Sequence, residues 1–284
     1  MKKLAILLVS FISFTTAAHD GDHCQNPFFQ SQYGVTTGIQ GLAGQYKAGA
    51  DQFDYFVTSV EAGYSYKNLF LSTIRVPFVA LENSQDTEFL LSDVQVQLQG
   101  SLLSWGETNF LSLGLNTELP TGNEAKLVGG GHMHFRPYLG FQQNLGNVIT
   151  YGQTGLVVAA KNHDTTATDH THENEAEEHA EEGHHDEGEI HGSVVDVHSS
   201  REATFQLGAV VPVVRSKLYF NFSMAAQTVL TDINANMGDL YMTANPAVTL
   251  MLTENSNFTM FTQIPVTSLQ RFDYRLGAGI NYIF

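Results

Sequence analysis

The chain has 284 residues, of which 13 are Lys or Arg and 29 are Asp or Glu, so its formal net charge is −16. Charged residues make up only 15% of the chain, against about 25% in an ordinary soluble domain. Because Lys and Arg are too few to neutralise phosphates, the composition excludes nucleic acid as a partner. The single cysteine, Cys24, excludes an internal disulfide framework.

Residues 1–18 have the pattern of a secretory signal peptide, with a basic start, a short apolar run and small residues before the cleavage site. A membrane anchor is the weaker interpretation, because the apolar run is too short to cross ~30 Å of hydrocarbon as a helix. We therefore predict that the mature chain begins near His19, outside the cytoplasm. Residues 19–32 are predicted to form an N-terminal periplasmic stub, whose His and Asp side chains are a minor candidate for metal binding.

From residue 33 onward, apolar and polar side chains alternate with a period of two, which is typical of β-strands with two different faces. The pattern predicts twelve strands, near residues 33–46, 52–66, 69–80, 91–104, 108–119, 132–144, 148–161, 201–214, 217–230, 239–253, 257–268 and 272–284. Their polar faces carry Gln, Asn, Ser, Thr and Gly. A soluble antiparallel barrel or sandwich also alternates, but its solvent face normally presents Lys and Glu. The composition of these polar faces therefore argues against a soluble barrel or sandwich.

The connections between these strands alternate between tight turns and long loops. The long loops are residues 81–90, 120–131, 162–200 and 231–238. This arrangement predicts an all-β fold, a transmembrane antiparallel β-barrel of about 12 strands over residues 33–284, in a bacterial outer membrane. An even strand count places both termini in the periplasm and the long loops outside. The second strand changes face around Thr58 and Ser59, which predicts a β-bulge there.

The strand phase also predicts which side chains face the barrel lumen. These are Asp93, Gln95, Gln97, Gln99, Glu118, His132, His134, Arg136, Asp273 and Arg275. His132 and His134 share one strand face near the outer mouth, where two imidazoles can chelate one ion. The simpler interpretation is that both are ordinary polar lining of a lumen.

The last predicted strand ends on Phe284. A terminal aromatic strand resembles the C-terminal assembly signal of outer-membrane proteins. The sequence therefore predicts two partners, the barrel-assembly machinery and outer-membrane lipid.

Segment 162–200 contains no Lys or Arg, twelve acidic residues and eight of the twelve histidines of the chain. The predicted metal ligands in it are His163, His170, His172, His179, His184, His185, His191, His198, Asp164, Asp169, Asp186 and Glu187. Imidazole and carboxylate together suit borderline divalent ions, Zn²⁺ first and then Cu²⁺ and Ni²⁺. The alternative is a solvated loop that its composition keeps extended. In either case we expect no required cofactor.

Three short elements within residues 70–131 carry a family resemblance: residues 74–78 (IRVPF), residues 92–94 (SDV), and residues 119–123 (LPTGN) followed by 129–131 (GGG). They resemble motifs of an outer-membrane transporter-like family labelled for the meta-pathway of phenol degradation. The resemblance implies a single-chain barrel that transports small, often aromatic or hydrophobic molecules. Segment 162–200 departs from that family's pattern and indicates a metal-related role added to the scaffold.

The sequence contains no G-x-S-x-G element and no spaced nucleophile and base, so no enzyme activity is predicted. The leading hypothesis is an outer-membrane channel or transporter for small solutes whose acidic, His-rich loop captures divalent metal, with zinc first. The second is a passive channel for small organic, aromatic or hydrophobic compounds, with the loop as a gate. The third is a structural or adhesive barrel without transport.

Overall fold

The computed structural model describes residues 33–48, 51–66, 69–82, 87–105, 108–123, 128–160, 201–231 and 237–284. The predicted signal peptide, periplasmic stub and 162–200 loop lie outside these residues. The strands of the described ranges are β1 (Tyr33–Ala48), β2 (Asp51–Tyr66), β3 (Phe70–Glu82), β4 (Thr87–Leu91), β5 (Val94–Trp105), β6 (Asn109–Leu119), β7 (Met133–Asn144), β8 (Ile149–Ala160), β9 (Arg201–Val214), β10 (Leu218–Thr231), β11 (Leu240–Thr253), β12 (Ser256–Pro265) and β13 (Phe272–Ile283). Within the same ranges, no helix has the length and apolarity needed to cross a membrane.

The strands form one closed antiparallel sheet. Apart from β4 and β5, each strand pairs with its neighbours in the chain, and β1 pairs with both β2 and β13, which joins the two ends of the sheet. β4 and β5 both pair with β3, so they occupy a single position in the wall. The barrel therefore has twelve wall positions, and the predicted fold class is confirmed.

For the fourth wall position, the sequence predicted one continuous strand over residues 91–104, but the structure has two separate strands there, β4 and β5. Part of the expected 81–90 loop is strand β4, and the ladder is interrupted at Ser92 and Asp93 before β5 begins. The backbone N–H of Ser92 donates to the carbonyl oxygen of Pro77 at 2.9 Å. The interruption turns the Asp93 side chain into the lumen, where it is 1% exposed.

The bulge predicted near Thr58 and Ser59 is wrong. β2 keeps an unbroken register with β1 and with β3. The hydrophobic pattern changes because Tyr55 and Val57 point into the lumen and are buried there, at 3% and 2% exposure. The irregular hydrophobic pattern of β2 therefore comes from apolar side chains in the lumen, and the pairing of its backbone is regular.

The two faces of the barrel wall have opposite chemistry. Large apolar side chains such as Leu113, Phe205 and Leu276 stand exposed on the outside at 50%, 50% and 53%. Polar side chains such as Gln97, Ser223 and Asn257 are buried inside at 4%, 0% and 0%. A closed barrel with an apolar exterior satisfies its backbone hydrogen bonds internally, as a bilayer requires.

Inside the lumen, aromatic rings lie over glycines of neighbouring strands. The Tyr138 ring covers Gly114, the Tyr151 ring covers Gly208 and the Phe261 ring covers Gly277, so that a Cβ at any of these glycines would overlap the ring. The missing side chains are what let the rings lie against the wall. At the C-terminus, Phe284 is 73% exposed and its N–H donates to Val35 at 3.0 Å.

Candidate functional site in the barrel lumen

An apolar row runs across part of the lumen wall, perpendicular to the strands. Seven residues on consecutive wall positions stand directly opposite one another in the sheet register, and we call them the apolar collar: Leu90, Val79, Val57, Leu42, Gly277, Phe261 and Ala247. Val79, Val57, Leu42 and Phe261 belong to one buried apolar cluster, and Leu90 and Ala247 pack against it. A polar lumen is the rule for such barrels, so this row is a local exception.

Polar rows border the collar on both sides. On the side of the long connections, Tyr55 and Arg275 form the next row, and the Arg275 Nε donates to the Tyr55 hydroxyl at 2.6 Å. On the side of the chain termini, the next row carries the uncharged Ser59, Gln40 and Thr259. Of the two rows that border the collar, one therefore carries a charged side chain and the other is uncharged.

The connection between β6 and β7 folds inward onto the collar. Its Val128 is fully buried and packs in the same cluster as Leu42, Val57, Val79 and Phe261. A side chain from outside the wall strands thus fills the space beside the collar.

The Asp93 carboxylate holds this inward connection. It accepts the N–H of Gly122 at 2.7 Å and the N–H of Gly130 at 2.5 Å, and we call these two bonds the Asp93 clamp. The Thr121 hydroxyl adds a bond on each side, accepting from the N–H of Val94 and donating to the carbonyl of Ser92, both at 2.9 Å. Hydrogen bonds to an ionised carboxylate are about twice as strong as neutral ones.

Glycines are required where the connection doubles back. Gly122 and Gly129 lie so close that a Cβ on Gly129 would sit 2.6 Å from the carbonyl carbon of Gly122. Gly131 has a φ of 68°, a left-handed conformation that favours glycine. Hydrogen bonds join the three motif elements noted in the sequence, at residues 74–78, 92–94 and 119–123 with 129–131, at one point of the mouth.

A charged cluster lies beside the clamp. The Glu118 Oε2 is 3.4 Å from the His134 Nδ1 and 3.6 Å from an Arg136 Nη. The His132 ring centroid lies 4.6 Å from that of His134. Among the described residues, no three His, Cys, Asp or Glu side chains are placed to hold a metal ion, so the His132 and His134 pair has no third ligand of these types there.

The architecture matches solved barrels. An outer membrane channel from Pseudomonas putida F1 aligns over 93% of this chain and 100% of its own, with a TM-score of 0.64 and 10% identity. The NanC porin aligns over 85% of this chain and 98% of its own, with a TM-score of 0.53 and 9% identity. The fold is that of an outer-membrane β-barrel. Together with the apolar exterior, this fold places the chain in the bacterial outer membrane. No family model and no curated protein matches the sequence.

The structure places most of the predicted lumen residues on the inner wall of this barrel. Eight of them are buried there: Asp93, Gln95, Gln97, Gln99, Glu118, His134, Arg136 and Arg275. His132 and Asp273 are half-buried. The predicted metal ligands of the 162–200 loop lie outside the described residues.

Sequence reasoning missed a second buried ion pair in the lumen, between Glu202 of β9 and Arg271 before β13. Arg271 forms an ion pair with Glu202, donates to the Gln227 amide oxygen at 2.9 Å, and lies 4.1 Å from the centre of the Tyr241 ring. The phase of β9 would have revealed Glu202, since it shares a face with Gln206. Nothing local would have revealed Arg271, because it precedes its strand and reaches across the lumen.

Proposed function

We propose that the chain forms a channel for small solutes across the outer membrane. The two compared structures are named as an outer membrane channel and a porin. The barrel shares their architecture, and its lumen is lined mainly by uncharged polar side chains. A channel requires no catalytic group, so the proposal keeps the chain non-enzymatic.

The observation that carries this proposal is a pair of buried lumen amides. Gln40 is 3% exposed and Asn257 is 0% exposed, yet none of their four side-chain N and O atoms bonds to a described residue. An unsatisfied buried polar group costs about 1–3 kcal/mol. These amides are therefore suited to bond water or the hydroxyl and carbonyl groups of a passing solute.

The direct test is the swelling of proteoliposomes in a small uncharged sugar, compared with protein-free liposomes. We expect the wild-type protein to increase the swelling rate. A matched pair of variants then locates the path. Ser59→Trp adds bulk to the lumen wall, where Ser59 is 4% exposed, whereas Val60→Trp adds it to the outer face, where Val60 is 45% exposed.

We expect Ser59→Trp to abolish the swelling and Val60→Trp to retain it. Folding of both variants is checked by the mobility shift between unheated and boiled samples in gel electrophoresis. Absence of swelling in a folded wild-type barrel would contradict the channel and favour a structural or adhesive role. Equal swelling by both variants would show that the solute does not pass through the lumen.

We further propose that the 162–200 loop binds divalent metal, with Zn²⁺ first, at the outer mouth of the channel. The support is its composition of twelve acidic residues and eight histidines without Lys or Arg. The loop connects β8 to β9, at the same end of the barrel as the Asp93 clamp. Clustered carboxylates raise the local cation concentration, and imidazole selects borderline ions over Ca²⁺ and Mg²⁺.

The metal proposal is tested by equilibrium dialysis of zinc against the full-length protein in detergent. We expect binding near neutral pH that weakens below pH ~6.5, where histidine protonates. Replacing the eight loop histidines with Gln keeps the acidic charge and should remove zinc binding. The control variant His132→Asn should retain it. Zinc binding that survives the eight replacements would contradict the proposal.

A further inference from the structure

The apolar collar covers seven of the twelve wall positions with residues that offer passing ions no polar side chain. Three of its members are fully buried, with Val79 at 0% and Leu42 and Val57 at 2% exposure, and Leu90 is partly buried against them. Val128 packs against this row and is itself 0% exposed. In the part of the lumen wall that these strands form, apolar side chains therefore meet an apolar side chain from the β6–β7 connection.

Such a section acts differently on ions and on uncharged solutes. An ion that leaves water for apolar surroundings loses far more solvation free energy than an uncharged polar molecule does. Apolar constrictions in channels block ions by expelling water from the narrow section. The collar therefore sets a much higher barrier for ions than for uncharged solutes.

The charged groups that flank the collar do not lie within it. Arg275 and Tyr55 are bonded to each other in the row nearer the long connections. On the other side the uncharged row comes first. Arg75 and Glu61 follow it and are paired at 2.9 Å. An ion can be stabilised on either side of the collar, but the collar itself contributes no such group.

The Asp93 clamp determines whether the collar is covered. Because Gly122 and Gly130 flank Val128 in the chain and both donate to one buried carboxylate, their bonds fix Val128 against the wall. We infer that Val128, held by the Asp93 clamp against the apolar collar, is the barrier that makes the channel admit small uncharged solutes and exclude ions. This inference rests on the proposed channel function and names its substrate class.

The test measures ion conductance in planar bilayers with the full-length protein. Val128→Ser places a hydroxyl at the collar. We expect the conductance to rise by about tenfold, the change that a barrier lowered by about 1.4 kcal/mol produces. Val60→Ser is the matched control, since Val60 is a valine exposed on the outer face, and it should leave the conductance unchanged.

A second variant addresses the clamp without changing the collar. Asp93→Ser removes the carboxylate that holds Gly122 and Gly130, so we expect the ion conductance to rise as it does for Val128→Ser. In a background in which Cys24 is replaced by Ser, Val128→Cys should resist a water-soluble maleimide and become reactive when Asp93→Ser is added.

The outcomes separate the inference from the channel proposal. If sugar swelling persists while Val128→Ser and Asp93→Ser both leave ion conductance at the wild-type level, the inference is overturned and the channel stands. If neither sugar nor ions pass the wild type or either variant, the channel proposal fails and the inference fails with it. A rise in ion conductance for both variants, with the Val60→Ser control unchanged, supports the inference.

Discussion

Replacing Gly114 with Ala will lower the free energy of unfolding by about 2–4 kcal/mol, because overpacking and lost hydrogen bonds add together. The new Cβ would overlap the Tyr138 ring, which lies over Gly114. A displaced ring also loses two buried bonds. The Gln97 amide donates to the Tyr138 hydroxyl at 2.7 Å, and that hydroxyl donates to the Gln99 amide oxygen at 2.9 Å. Urea unfolding in lipid vesicles, followed by the fluorescence of Trp105, measures the effect.

Gly100→Ala is the matched control for this prediction. Gly100 lies on β5, the strand adjacent to Gly114, and the nearest atom to a Cβ added there is the carbonyl oxygen of Leu69 at 3.9 Å. The same substitution should therefore change stability little at Gly100. Equal losses at both positions would mean that the effect comes from the backbone and not from the covered ring.

The second large effect is expected at the buried ion pair of the lumen. Glu202 is 0% exposed and forms an ion pair with Arg271, which is 9% exposed. Removing one member leaves a buried charge without compensation, which costs about 3–5 kcal/mol. Glu202→Leu alone should therefore lower the unfolding free energy by that amount. The double variant Glu202→Leu with Arg271→Met should recover most of the loss, because no charge is left to solvate.

The pair of Arg75 with Glu61 provides the comparison. It has a similar charge-assisted bond at 2.9 Å, but its side chains are 12% and 22% exposed. Water partly screens such a pair, so Glu61→Gln should cost about 1 kcal/mol. The loss of unfolding free energy in the double variant is compared with the sum of the losses in Glu202→Leu and in Arg271→Met. If the two are equal, the ion pair is not the source of the stability.

The barrel could be predicted from the sequence because a strand with one lipid face and one lumen face must alternate. Leu111 and Leu113 point outward while Ser112 and Gly114 point inward, and the alternation of apolar with small or polar residues in the sequence predicts this difference. The prediction failed where the lumen is not polar. Val57 faces inward as part of the collar, and Tyr55 faces inward in the adjacent row. Their apolar side chains interrupt the alternation in the sequence and led to the prediction of a bulge, although the backbone register is unbroken. A departure from local patterning at a functional element is expected.

The candidate site was only partly predictable for a related reason. The phase of β5 identified Asp93 as a lumen residue, but not its bonds to Gly122 and Gly130, which follow 29 and 37 residues later. Val128 lies in a connection without any periodic pattern. It shares one buried cluster with Leu42, which is far from it in the chain, and only the closed sheet brings the two together. Local propensity contains no information about such contacts.

We propose that this barrel passes small uncharged solutes through a lumen whose apolar collar excludes ions. The most direct measurement compares two rates for the same wild-type proteoliposomes, swelling in a small uncharged sugar and swelling in a potassium salt of similar size. We expect fast swelling in the sugar and swelling close to that of protein-free liposomes in the salt. Equal swelling in both, or swelling in the salt alone, would contradict it.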